Sequence, residues 1–198
     1  REDNVAPGSV KIKDVNGDGK INADDRTPIS RDPDFTLSLN TTLKWKGFDF
    51  YMLWAGSAGF DLYWNHSSYN GTRTENGFGI SQRVADNHYF YNPENPSDSR
   101  TNITAKYPRI TDQTQRDNGT SSVFWKYKGD YVKLKNIQIG YTIPVKWTRK
   151  FMVEKLRFYF SGENLLTITS YPGLDPEMGT SITYPLTRQF AFGAQLSF

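Results

Sequence analysis

The chain has 198 residues, a formal net charge of +3 and no cysteine. Without cysteine there is no disulfide framework and no thiolate metal site. Charges of both signs are spread along the chain with no long basic run, which speaks against nucleic acid as a partner. Thirteen Phe, 12 Tyr, 5 Trp, 16 Gly and 10 Pro make an all-β, turn-rich protein the expected class. No apolar run approaches the ~20 residues of a membrane helix, but the strands of a membrane β-barrel need only about 9–11 half-polar residues. The chain opens abruptly on Arg1–Asn4 with no signal-peptide pattern. This suggests a piece of something longer.

Asp14 to Asp25 reads D-V-N-G-D-G-K-I-N-A-D-D. Oxygen-bearing side chains stand at loop positions one, three, five, nine and twelve: Asp14, Asn16, Asp18, Asn22 and Asp25. Gly19 falls where the chain must turn sharply, and Lys20 follows with its backbone carbonyl. Calcium takes about six to eight hard oxygens from such a loop, so a structural Ca2+ is expected here, with an ion-free Asn/Asp/Gly turn as the alternative. Asp at position twelve reaches less far than the usual Glu, so its closure on an ion is looser. The two prolines between Arg26 and Pro33 leave no room for a helix–loop–helix sensor.

Clean alternation begins at residue 34. Phe35, Leu37, Leu39, Leu43 and Trp45 oppose Thr36, Ser38, Asn40, Thr42 and Lys44, the period of a strand with one apolar face. Lys46-Gly47 makes a tight turn and residues 48–55 return as a second strand. Periodicity then vanishes over 56–130. Strands are expected again at 131–143 and 155–164, separated by a brief connection that holds one helical turn with Trp147 and Phe151 on one side. In the first of these, Val132 and Leu134 are out of phase with Ile137, Ile139, Tyr141 and Ile143, which calls for a bulge or a stretch above a membrane. After an irregular segment, 165–186, the strand 187–198 sets Phe190, Phe192, Ala194, Leu196 and Phe198 on one face.

The connections run short, very long, short, long. In an up-and-down sheet this puts the short turns at one end and the long loops at the other, as in bacterial outer-membrane barrels. Five strands do not close a barrel, and the remainder is expected upstream of Arg1.

Several blocks carry a resemblance. They are V-N-G-D-G-K-I-N-A-D-D-R-T from Val15, L-K-W-K-G-F-D-F and A-G-S-A-G-F-D-L-Y between Leu43 and Tyr63, and A-K-Y-P-R-I from Ala105. Further on come G-D-Y-V-K-L-K-N-I-Q-I-G-Y-T-I-P from Gly129, S-G-E-N-L-L-T-I-T-S-Y-P-G-L-D-P-E from Ser161, and the terminal F-A-F-G-A-Q-L-S-F. In this order they resemble the C-terminal portion of a SusC/RagA-type TonB-dependent outer-membrane transporter. The fold implied is the last antiparallel strands of a large transmembrane β-barrel with long extracellular loops. The function implied is TonB-energised import of oligosaccharides or peptides across the outer membrane, under a SusD-like surface lipoprotein. TonB would act through the absent N-terminal region. The terminal strand, with Leu196 and Phe198, would be the segment read by the assembly machinery.

An enzyme is not expected. His66 and His88 are far apart, and no metal-pairing or nucleophile-elbow motif is present. Asp24/Asp25 and Asp175/Glu177 fit ion binding and turn chemistry better than acid–base catalysis. Tyr63, Trp64 and Tyr69 are candidates for stacking on a sugar or meeting the lid, against the plainer reading that they pack the loop's own small core. Phe35, Leu37, Leu39, Phe158, Phe160, Phe190 and Phe192 are expected to face lipid. The alternative from another class is a secreted, calcium-binding β-sandwich carbohydrate-binding module with a dockerin-like loop, which would bury its alternating faces against a second sheet.

Overall fold

The computed structural model describes residues 6–64, 79–110, 122–180, 184 and 186–198. The chain divides into two compact units, Ser30–Leu62 with Lys128–Phe198, and Arg1–Ile29 with Tyr63–Tyr127.

The first unit is built on five antiparallel strands. These are β1 (Phe35–Trp45), β2 (Phe48–Ala58), β5 (Tyr131–Thr142), β6 (Lys155–Thr169) and β7 (Gln189–Ser197), in the spatial order β1-β2-β5-β6-β7. Two short strands, β3 (Asp61–Tyr63) and β4 (Lys126–Lys128), pair where the chain passes between units. Lys46 and Gly47 close the β1–β2 hairpin with φ of 45° and 92°. Two successive positive φ values match the right-handed twist of the flanking strands, which is why a two-residue loop suffices.

Register assembles the apolar face. Leu39 lies opposite Trp54, Leu43 opposite Phe50 and Trp45 opposite Phe48. Phe48 and Phe50 oppose Tyr141 and Ile139, which oppose Phe158 and Phe160, and Phe160 opposes Phe192. Ring pairs tie neighbouring strands: Phe48–Tyr141 at 4.5 Å, Phe160–Phe190 at 6.1 Å and Phe158–Phe192 at 6.4 Å between centroids. This face is not a buried core. Leu37 is 72 % and Phe192 76 % exposed, and none of the buried apolar residues lies in the five strands. A β-sandwich would have covered these side chains, so the sandwich alternative finds no support.

The opposite face is polar. Ser38, Asn40, Lys44, Asp49, Asn136, Gln138, Arg157, Tyr159 and Gln195 alternate with the apolar set. Here two glycines make room. A Cβ on Gly193 would fall inside the ring of Tyr159, and one on Gly140 would meet the Arg157 guanidinium. That guanidinium stacks over Tyr159 at 5.1 Å and donates from Nε to Asp49 at 2.9 Å.

One open choice about the strands is decided and two strand expectations need revision. β5 carries a bulge at Lys135, where the register against both neighbours shifts. The extra residue returns Val132 and Leu134 to the apolar face, opposite Gly56 and Trp54. β6 does not stop at 164 but runs to Thr169. Asn164 takes a left-handed φ of 53° and the consecutive leucines 165 and 166 interrupt the alternation without ending the pairing. Similarly β2 extends to Ala58, and 56–130 holds β3, β4 and the one-turn helix α1 (Gln82–Ala85). Elements of three or four residues are too short to show a period.

The second unit has its own small core of Val84, Tyr107 and Trp125, with Tyr63 and Ile80 against it. Tyr107 stacks on Trp125 at 6.0 Å, and Phe124 meets Trp125 edge-on at 5.0 Å. The N-terminal segment belongs here: Arg109 N donates to the Gly8 carbonyl at 2.9 Å, with Tyr89 packed over Gly8 at φ 83°. The boundary at 33/34 expected from alternation is therefore not that of the compact units, because 1–29 folds with 63–127.

Candidate functional site

The polar face carries its densest chemistry at the long-loop end of β5. Lys133, only 2 % exposed, donates to both oxygens of Asp175 at 2.6 Å and to Glu177 Oε2 at 2.9 Å. Lys135, from the bulge, donates to both oxygens of Glu177. Asp175 also accepts from Glu177 N at 2.9 Å, capping the turn Pro176–Met178. Burial pushes the Glu177 carboxyl up, but the Lys135 and Lys133 ammonium groups more than offset it and hold the group below its ordinary value of 4.5. The same segment is closed by Tyr171, whose hydroxyl donates to Gly179 O at 3.1 Å. The β6–β7 connection is thus pinned to the wall by two lysines and two carboxylates. Sequence reasoning assigned Asp175 and Glu177 to turn chemistry and passed over the lysines, because nothing local links residues 42 positions apart.

The 14–25 loop is shaped by its own side chains. Asp14 accepts from Gly17 N at 2.6 Å and Gly19 N at 2.7 Å, Asn16 from Asp18 N at 3.0 Å, and Asp18 from Lys20 N at 2.7 Å. Asp25 accepts from Val15 N and Asn22 N, both at 2.7 Å, and Asn22 from Asp24 N at 2.6 Å. The backbone N–H groups of Asn22 and Val15 hold the Asp25 carboxyl below the ordinary range. Gly17 and Gly19 both adopt φ of 77°. These carboxylates turn to backbone donors, and among the described residues no three His, Cys, Asp or Glu side chains stand grouped as a preformed metal site.

The aromatic candidates separate. Trp64 is 3 % exposed, and its N donates to the Trp125 carbonyl at 2.9 Å. Tyr63 packs on the Val84–Tyr107–Trp125 core. Trp64 is thus buried and Tyr63 part-buried, while Tyr69 lies outside the described residues. At the other terminus, Leu196 opposes Leu156 and Phe198 is exposed.

Similarity to known proteins decides what these features belong to. The chain is 32 % identical over 97 % of its length to TonB-dependent receptor P3 of Formosa agariphila, of which it covers 19 %. It is 25 % identical over its whole length to TonB-dependent receptor SusC of Bacteroides thetaiotaomicron, covering 18 % of that protein. Its fold matches the RagAB peptide importer in the closed-closed state with a TM-score of 0.67, at 24 % identity over 90 % of this chain and 19 % of that one. The chain matches the C-terminal part of SusC/RagA-type TonB-dependent transporters over nearly its whole length and spans about a fifth of theirs. It corresponds to the C-terminal part of the SusC/RagA barrel, and the sheet is open because these strands are a fraction of it. No protein-family model matches the chain. The SusC/RagA relatives carry the names of receptors and an importer, not of enzymes. Among the described residues no helix is long and apolar enough to cross a membrane, which says nothing against a barrel.

Proposed function

We propose that the chain forms part of the wall and outer loops of a TonB-dependent importer in the bacterial outer membrane. One observation carries this reading: a continuous apolar face, spanning all five strands and left uncovered, is backed by a continuous polar one. The apolar face meets acyl chains and the polar face lines a water-filled lumen. The short-turn end then faces the periplasm, and the loops of 56–130 and 170–186 face outward. TonB acts through a region outside this chain, and a SusD-like lipoprotein covers the outer side. The cargo is an oligosaccharide or a peptide, and Tyr69 is the aromatic contact proposed for it. Leu196 and Phe198 form the segment recognised during assembly.

Spin labels decide the orientation in the full-length protein. Labels at Leu39 and Phe192 are expected to relax with oxygen dissolved in lipid, and labels at Ser38 and Gln138 with a water-soluble nickel chelate. The reverse pattern, or water access at all four, would overturn the proposal.

Within the same reading, the 14–25 loop takes a calcium ion as a structural clip. The support is the spacing of Asp14, Asn16, Asp18, Asn22 and Asp25, the Lys20 carbonyl, and two glycines already in the left-handed turn conformation. Calorimetric titration of the full-length protein should show calcium uptake that Asp14→Ala with Asp18→Ala abolishes. Equal heats from both proteins would exclude the site.

A further inference from the structure

The β5–β6 connection carries chemistry that neither import nor the wall requires. It contains α2 (Val145–Thr148) and a 3-10 turn, Arg149–Phe151, and it lies at the short-turn end. Thr148 is buried and fixes the segment through Val153 N, which donates to its carbonyl at 3.3 Å. Large apolar side chains around it are exposed: Trp147, Phe151 and Met152 are 58 %, 76 % and 86 % exposed. Interleaved with them are Lys146, Arg149 and Lys150, all exposed, and none forms an ion pair among the described residues. Lys146 stacks over Trp147 at 6.0 Å. A cleft of about 380 Å³ opens beside them, lined by Val145, Arg149, Met152, Val153, Glu154 and Phe198. Phe198 continues the alternation of Phe190, Phe192 and Leu196, so the cleft is continuous with the apolar face. The Arg149 guanidinium with the flanking Lys146 and Lys150 outweighs the single Glu154 carboxylate, and together with four apolar groups this suits a molecule that is anionic at one end and hydrocarbon at the other.

We propose that this connection is a binding site for an anionic phospholipid of the periplasmic leaflet. Arg149 and its neighbours Lys146 and Lys150 take the phosphodiester, and Val145, Met152 and Phe198 take the start of the acyl chains. The inference rests on the apolar face being the lipid face, and it adds headgroup selectivity at one rim. A lipid surface is favoured over a protein partner because the cations and the apolar groups sit at the level where strands leave the hydrocarbon, the zone that aromatic and basic side chains occupy in membranes. Each basic residue near an anionic surface contributes about fivefold in affinity.

The test uses the full-length protein in detergent, titrated with phosphatidylglycerol or phosphatidylcholine and read by native mass spectrometry. Wild type is expected to retain phosphatidylglycerol preferentially. Arg149→Gln should lower that retention roughly fivefold, and Lys146→Gln, Arg149→Gln and Lys150→Gln together roughly a hundredfold, with phosphatidylcholine unchanged. Met152→Gln should weaken both lipids alike. Wild type that does not discriminate between the lipids would overturn the proposal, whatever the variants do. So would a triple variant that assembles poorly while retaining phosphatidylglycerol like wild type, which would assign the patch to a protein. Failure of the full chain to fold in detergent or bilayers would remove the membrane reading itself, a separable result.

Discussion

Lys133 is buried against two carboxylates, and removing a single partner from such a group leaves uncompensated charge. The expected cost of Lys133→Met is roughly 3 kcal/mol, the low end for broken buried pairs, because Glu177 is partly exposed and keeps Lys135. Urea unfolding of the full-length protein in vesicles measures it, and a loss below about 0.5 kcal/mol would show that the network is idle. Acid gives a second readout. The folded-state carboxyl of Glu177 is depressed, so its contribution is complete above the ordinary value of 4.5 and is lost as pH falls through and below it. Amide exchange in 171–179 should therefore be constant from neutral pH down to about 5 and then rise, beyond the intrinsic pH dependence, as the latch opens. Glu177→Gln should remove that step. Gly193 makes the opposite kind of prediction, one of space. Its Cβ position is taken by the Tyr159 ring, so Gly193→Val must displace Tyr159 and with it the Arg157 stack. Overpacking of this kind costs about 1–3 kcal/mol, and Tyr159→Ala should relieve much of it in the double variant.

At the scale of the strand, alternation is the signal and its interruptions are the information. β1 and β7 were legible because a single phase runs from Phe35 to Trp45 and from Phe190 to Phe198. β5 was legible only as a choice between a bulge and a segment above the membrane. Which one holds depends on Trp54 and Leu166 across the ladder, residues that β5 itself does not encode. β6 read as ended at Asn164 because Leu165-Leu166 breaks period two, yet pairing with β5 carries it five residues further. The lysine–carboxylate latch stayed hidden for a related reason: its groups share a site only once β5 and the β6–β7 connection are folded. A strand also makes a sharp prediction about substitution. Phe192 sits on the apolar face between Phe158 and Phe160, so Phe192→Arg places a charge in hydrocarbon at about 2–4 kcal/mol near midplane. The full-length variant should lose urea resistance by that amount, while Asn40→Arg on the polar face, opposite Leu53, should change it little.

For the molecule as a whole, the unpaired edges decide behaviour. β1 and β7 each have one neighbour in the sheet, and their outer edges present backbone donors and acceptors to whatever comes next. In the SusC/RagA barrel those edges are closed by further strands, and this chain spans only 18 % or 19 % of its relatives' length. The 198-residue chain produced alone thus combines two open edges with an apolar face that has no cover. Hydrophobic burial and edge pairing both then favour association between copies over a monomer in buffer. Sedimentation in buffer should show large aggregates, and detergent above its micelle concentration should disperse them by coating the face. The remaining edge pairing would persist, so the dispersed chain is expected to form small oligomers. The second unit's own core of Val84, Tyr107 and Trp125 does not change this, because no residue of the five strands belongs to it. A sharp monomer peak in plain buffer, with Trp45 and Phe192 protected from a soluble quencher or label, would mean the face is buried by the chain itself, and the reading as barrel wall would have to be abandoned.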